Sequence, residues 1–223
     1  LTQLDLDQAE RVREADLHAS CNWKYALDTY FENYHFATLH KSSIGPLFVN
    51  NLILYDTWGP HHRVVFPPRE TWDWVKKPES EWLIDTLGTP YFIFPNTIVF
   101  NGSLRPDCAY LTVFRIYPRG VGELVTRTAI YAPYGVASEA HRKEVHEALD
   151  GILHLVQDED YDVTSESWKN FLALPRGTRV VYGRQELAVQ HAHLHFARAI
   201  GMPEPDVVPA APERPPAEVR LRA

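Results

Sequence analysis

Cys21-Asn22-Trp23-Lys24-Tyr25-Ala26-Leu27-Asp28-Thr29-Tyr30-Phe31-Glu32-Asn33-Tyr34-His35-Phe36-Ala37-Thr38-Leu39-His40 is the stretch on which the reading turns. Trp23, Ala26, Leu27, Tyr30, Phe31 and Tyr34 recur at three- and four-residue spacing. That spacing predicts an amphipathic helix over 22–34 with one face in the core. His35 and His40 follow, five apart, which on a regular helix sets their side chains about 140° apart. For both imidazoles to meet one ion, the helix must end after His35 or wind loosely there. Such distortions are frequent at functional sites. On spacing alone, two ordinary half-buried histidines are the commoner outcome.

A metal site needs more ligands than two imidazoles. One carboxylate added to two histidines makes a set that suits Fe(II) and leaves positions open for O2. Gln157-Asp158-Glu159-Asp160-Tyr161-Asp162 is the best supplier. It follows the apolar stripe of Val145, Ala148, Leu149, Ile152, Leu153 and Val156. The bland reading of that acidic run is a solvated helix N-terminus, where carboxylates suit the macrodipole.

Further outward the chain divides into three. Residues 1–20 are polar and read as a helical lead-in. The middle is β-rich: 47–58 and 63–66 flank a turn at Gly59-Pro60-His61-His62, and 91–101, 110–117 and 124–131 read as an antiparallel meander. Residues 67–87, with Trp72, Trp74 and Trp82, read as short helices or a covering loop. Helices return from Ser138, over 161–172, and over 185–200 before the stop signal Gly201 and Pro203. Residues 203–223 hold 6 of the 17 prolines and read as a flexible tail. Helices segregated from an antiparallel sheet make an α+β fold. A long C-terminal helix gripped by a curved sheet would leave a cavity between them.

Composition excludes several classes. The 223 residues carry a net charge of −7, so no basic surplus exists to meet a nucleic acid. Cys21 and Cys108 are the only cysteines, too few for a disulfide scaffold or a four-thiolate cluster. No apolar run is long enough to cross a bilayer and no signal peptide opens the chain, so a cytoplasmic protein is expected. There is no Gly-x-Ser-x-Gly, no His-Glu-x-x-His and no Gly-rich phosphate loop. His191 and His195 share a helix face and form a rival metal pair, without an obvious carboxylate.

The opening stretch resembles the iron-binding segment of Rieske non-heme iron aromatic-ring-hydroxylating oxygenases, in the catalytic domain of the α subunit. The shared pattern is Asn-Trp-Lys, then an acidic residue, then Glu/Asp-x-Tyr-His, four free positions and a second His. Phe94-Pro95-Asn96, Arg115-Ile116-Tyr117-Pro118, Glu159-Asp160 and Tyr182-Gly183-Arg184-Gln185-Glu186 also resemble that family, in the right order. The resemblance implies a helix-grip (START-like, Bet v 1-like) α+β domain over 21–202 with a mononuclear Fe(II). By position, His35, His40 and Asp160 would be its ligands, with Asp158 and Glu159 as fallback carboxylates. Glu32 would be the acidic bridge to the Rieske cluster of a neighbouring subunit in a homotrimer. The substrate would be an aromatic or other apolar molecule hydroxylated with O2, with electrons from a reductase or ferredoxin. Phe31, Phe36, Leu39, Phe94 and Phe100 are candidate pocket liners.

The chain departs from the family in two ways. It has neither Cys-x-His nor Cys-x-x-His, so it cannot hold the [2Fe-2S] Rieske cluster. The start at Leu1 rather than Met leads us to expect that domain upstream. Asp28-Thr29 also stands where Glu-Asn is common. Two rival classes remain: a metal-free helix-grip module for an apolar ligand, and a small β subunit, which lacks the histidine pair.

Overall fold

The computed structural model describes residues 7–82, 88–105 and 108–206. A curved, wholly antiparallel sheet of seven strands is backed by helices. In chain order the strands are β1 (Glu10–Ala19), β2 (Leu54–Trp58), β3 (His61–Val65), β4 (Thr89–Ile93), β5 (Thr97–Arg105), β6 (Cys108–Gly120) and β7 (Glu123–Ala132). Strands β2 to β7 form an unbroken meander, and β1 returns to pair with β7, giving the order β1-β7-β6-β5-β4-β3-β2. The α+β class expected from the sequence is the one observed.

The helices are α1 (Trp23–Asp28), α2 (Thr71–Trp74), α3 (Glu139–His154), α4 (Asp162–Ala173) and α5 (Leu187–Ala199). Ser138 caps α3 by accepting the N–H of His141 at 3.1 Å. A π-helical segment, Leu155–Tyr161, joins α3 to α4, so 139–173 runs as one long helical unit. α3 packs on β1, β6 and β7, the π segment and α4 on β1, and α5 on β3. Leu27, Phe31, Phe92, Ile98, Ile116, Leu124 and Tyr161 are fully buried between the layers. Among the described residues, no helix is long and apolar enough to cross a membrane.

Several local expectations are corrected. The lead-in 1–20 is not helical where it is described, because residues 10–19 are strand β1. Its charge density looks helical, but pairing from Glu10↔Ala132 to Ala19↔Leu124 overrides local preference. Charged residues are also what an edge strand carries to discourage further pairing. The helix expected over 22–34 stops at Asp28. Beyond it, Asn33 Nδ2 donates to the carbonyls of Val49 and Leu52 at 2.9 Å each, which draws the chain toward that loop. His61 and His62 lie in β3 rather than in the turn, which Gly59 makes at φ +57°. The strand expected over 91–101 is two, β4 and β5, which meet at Phe94-Pro95-Asn96. The longest helical unit is 139–173 rather than the C-terminal helix. Of the Pro-rich tail, 207–223 lies outside the described residues.

Candidate metal centre

His35 sits in a 3-10 turn, Tyr34–Ala37, and His40 in the turn that follows. The tight winding and the break after it solve the angular problem of five-residue spacing. The two imidazole centroids lie 5.0 Å apart at 64°. The carbonyl of His40 accepts the N–H groups of Ser43 and Gly45 at 3.1 and 2.8 Å, so the next loop folds back beneath it.

The third group comes from a segment more than a hundred residues further along the chain. In the π segment, Glu159 and Asp160 both face the histidines. Asp160 Oδ1 lies 3.5 Å from His35 Nε2 and 3.2 Å from His40 Nε2. It is buried and accepts no well-aligned hydrogen bond. One ligand atom from each residue falls within 4.8 Å of the others, and this is the only such group of three among the described residues. Metal bonds to imidazole and carboxylate are about 2.0–2.2 Å, so two ligands at a right angle sit about 3 Å apart. The observed separations and the orphaned oxygen fit an ion between the three groups.

The far nitrogens are also engaged. His35 Nδ1 bonds Glu32 Oε1, and His40 Nδ1 bonds Glu159 Oε2 at 2.5 Å. A proton on each Nδ1, shared with a carboxylate, leaves the Nε2 lone pair facing Asp160. Burial opposes charge on His40, yet the negative charge of the adjoining Asp160 and Glu159 carboxylates outweighs it and holds the pKa above the usual imidazole value. The electrostatics of the site therefore favour positive charge.

His35, His40, Asp160 and Glu32 are thus brought together. Asp158 is not with them: it is exposed and bonds His154 Nδ1 at 2.5 Å. Glu159 faces His40 Nδ1 instead of the centre. The His191 and His195 rings lie 4.4 Å apart, tilted by 41°, with His191 Nε2 donating to Gly59 O at 2.9 Å. His193 donates instead to Asp28 at 2.9 Å. Neither acceptor of the imidazole N–H groups follows from the sequence alone; an acidic residue three before His35 and one beside Asp160 are the signals it carries.

A cavity of about 650 Å³ opens beside the three residues. Phe36, Phe48, Phe66, Trp74, Phe100 and Phe114 supply most of its aromatic wall. Phe36 and Phe100 were expected there. Phe31, Leu39 and Phe94 are not among its lining residues; Phe31 packs on Phe92 and His62, and Phe94 on Phe196. The helical wall on this side is Ile152, Leu155 and Val156, from the end of α3 and the π segment, and not the C-terminal helix.

Comparison with known proteins agrees with this architecture. The solved structures that resemble the chain include the quaternary ammonium Rieske monooxygenase CntA in complex with an inhibitor. It is 14% identical with a TM-score of 0.65, over 88% of this chain and 53% of that one. Dicamba monooxygenase bound to 3,6 dichlorosalicylic acid is 9% identical with a TM-score of 0.59, over 87% and 58%. NdmB of Pseudomonas putida CBB5 is 13% identical with a TM-score of 0.54, over 89% and 53%. The chain thus spans about half the length of the structures it resembles. No curated protein matches its sequence significantly. The family described as ring hydroxylating alpha subunit (catalytic domain) matches residues 6–202, nearly the whole chain, and the protein belongs to that family.

Proposed function

We propose that this chain is the oxygenase portion of a Rieske-type ring-hydroxylating oxygenase, and that His35 Nε2, His40 Nε2 and an Asp160 oxygen hold a mononuclear Fe(II). The observation that carries the reading is Asp160 Oδ1, buried without a hydrogen-bond partner between two imidazole nitrogens. Fe(II) in such a set supplies open coordination positions for O2 chemistry. The chain's residues hold the lone pairs in place, keep the Nδ1 protons on carboxylates and shape a mostly apolar cavity beside the site. A small aromatic or other apolar molecule fits that wall, which excludes water from around it.

Electrons would come from a [2Fe-2S] Rieske cluster outside this chain, fed by a reductase or ferredoxin. Glu32 is the proposed point of entry. One of its oxygens meets His35 Nδ1, the other accepts the Tyr34 N–H at 2.5 Å, and the side chain is 16% exposed. A homotrimer would bring a neighbour's cluster to that side, in the cytoplasm.

The test is metal content after anaerobic loading with Fe(II). The parent chain should hold about one iron, and His35→Ala and Asp160→Ala should hold none. Iron retained in Asp160→Ala would remove Asp160 from the set. No stoichiometric iron in the parent would overturn the reading and favour a metal-free module for apolar ligands.

A further inference from the structure

We infer that Glu159, clamped by Ser43, is the positioning residue that sets the His40 ring and thereby the grip of the site on its ion. The inference rests on the metal reading above and deepens it. One oxygen, Glu159 Oε2, takes both His40 Nδ1 at 2.5 Å and Ser43 Oγ at 2.8 Å. His40 is 1% exposed, so its Nδ1–H has no water to turn to if that oxygen is lost. The ring would then rotate toward another acceptor and carry Nε2 away from Asp160.

The clamp joins two segments more than a hundred residues apart in the chain. Ser43 belongs to the loop folded under the His40 carbonyl, and its hydroxyl also lies 3.3 Å from that carbonyl oxygen. Glu159 belongs to the π segment and adjoins Asp160. One segment therefore supplies both a ligand and the acceptor that aims a second ligand. The carboxylate on His35 is held differently: Glu32 lies three residues away in the same local turn, and its other oxygen is tied to a backbone N–H. The His40 arm is the one that fixes the two halves of the site to each other.

The probe is Co(II) alone, titrated anaerobically into the full chain while its visible absorption and dissociation constant are read. Glu159→Ala should weaken Co(II) binding about 10–100-fold and change the spectrum, since loss of an outer carboxylate partner has that effect on metal affinity. Glu159→Gln keeps an accepting oxygen and should recover part of both. Ser43→Ala should weaken binding less than Glu159→Ala. Melting of the metal-free protein serves as the control for folding. Unchanged affinity and spectrum in Glu159→Ala, with His35→Ala and Asp160→Ala losing the ion, would leave the triad standing and overturn this inference. If Glu159→Ala fails to fold, unchanged affinity and spectrum in both Glu159→Gln and Ser43→Ala overturn it equally. A parent chain that takes up no Co(II) would overturn the metal reading itself.

Discussion

His40 is enclosed by Phe36, the Asp160 and Glu159 carboxylates and the loop that returns beneath its carbonyl. That loop depends on Gly45. A Cβ there would lie 2.3 Å from the Phe36 carbonyl oxygen and 2.7 Å from that of His40. Both obstacles are backbone, so neither yields by rotating a side chain. Gly45→Ala should therefore destabilise the metal-free chain by about 1–3 kcal/mol, the usual cost of overpacking, read from urea unfolding. Stability equal to the parent would mean that the loop moves freely and does not brace His40. His35 and His40 are legible in the sequence through the family resemblance of the segment around them, since their spacing alone favours two ordinary histidines. The need for Gly45 is not, because it arises from two carbonyls that converge only after the 3-10 turn and its break have formed. Glu159 was legible as an acid of the right segment but not in its role, since the role depends on where a π segment turns it.

At the scale of elements, β3 and α5 meet through imidazoles, and this junction carries a pH dependence. His62 is 1% exposed, neither ring nitrogen has a hydrogen-bond partner, and it packs against Phe31, Phe92, Tyr55 and His191. Burial, reinforced by nearby His191, His195 and His61, pushes its pKa down to about 3. The folded chain thus keeps His62 neutral where the unfolded chain protonates it, below the ordinary value of 6.5. Below that value the unfolded state binds the extra proton, so stability falls as pH drops from 6.5 toward 3. One such proton contributes about 1.4 kcal/mol per pH unit. Urea midpoints between pH 7 and pH 5 should fall in the parent and fall less in His62→Leu. Equal slopes would show that His62 is hydrated or paired in solution. None of this follows from His61-His62 read as a turn. The dipeptide beside Gly59-Pro60 looks exposed until β2 and β4 pair on either side of it and α5 closes over the face. The same physics hid β1: its charges favour helix locally, while its partner β7 is more than a hundred residues away. Strands β6 and β7 and helix α3 were readable because their apolar periods are long and uninterrupted.

For the molecule as a whole, the α+β order was legible because helices and strands are segregated along the chain, whereas the position of the cavity was not. That position depends on which helical residues line it, and the π segment that supplies Leu155 and Val156 makes 139–173 continuous where a break was expected. The whole chain also sets a limit on its own chemistry. A Rieske cluster needs two cysteines on one iron and two histidines on the other, brought together at one place. Here Cys21 and Cys108 are both fully buried and lie in separate apolar clusters, Cys21 with Leu27 and Phe31, Cys108 with Ile130, Val145 and Leu149. Burial pushes the Cys21 thiol up to about 12, far from the thiolate that a cluster requires. The chain can therefore offer the proposed oxygenase site but no Rieske cluster to feed it. Loaded with Fe(II) and supplied with NADH, a reductase and an aromatic substrate, it should show no acid-labile sulfide and no substrate-dependent NADH oxidation, even with a full complement of iron. Activity should appear only when a polypeptide bearing a Rieske cluster is added, and Glu32→Gln should suppress that activity while leaving bound iron in place. Substrate-dependent oxidation by the loaded chain without such a polypeptide would mean that electrons reach the site by a route other than a Rieske cluster.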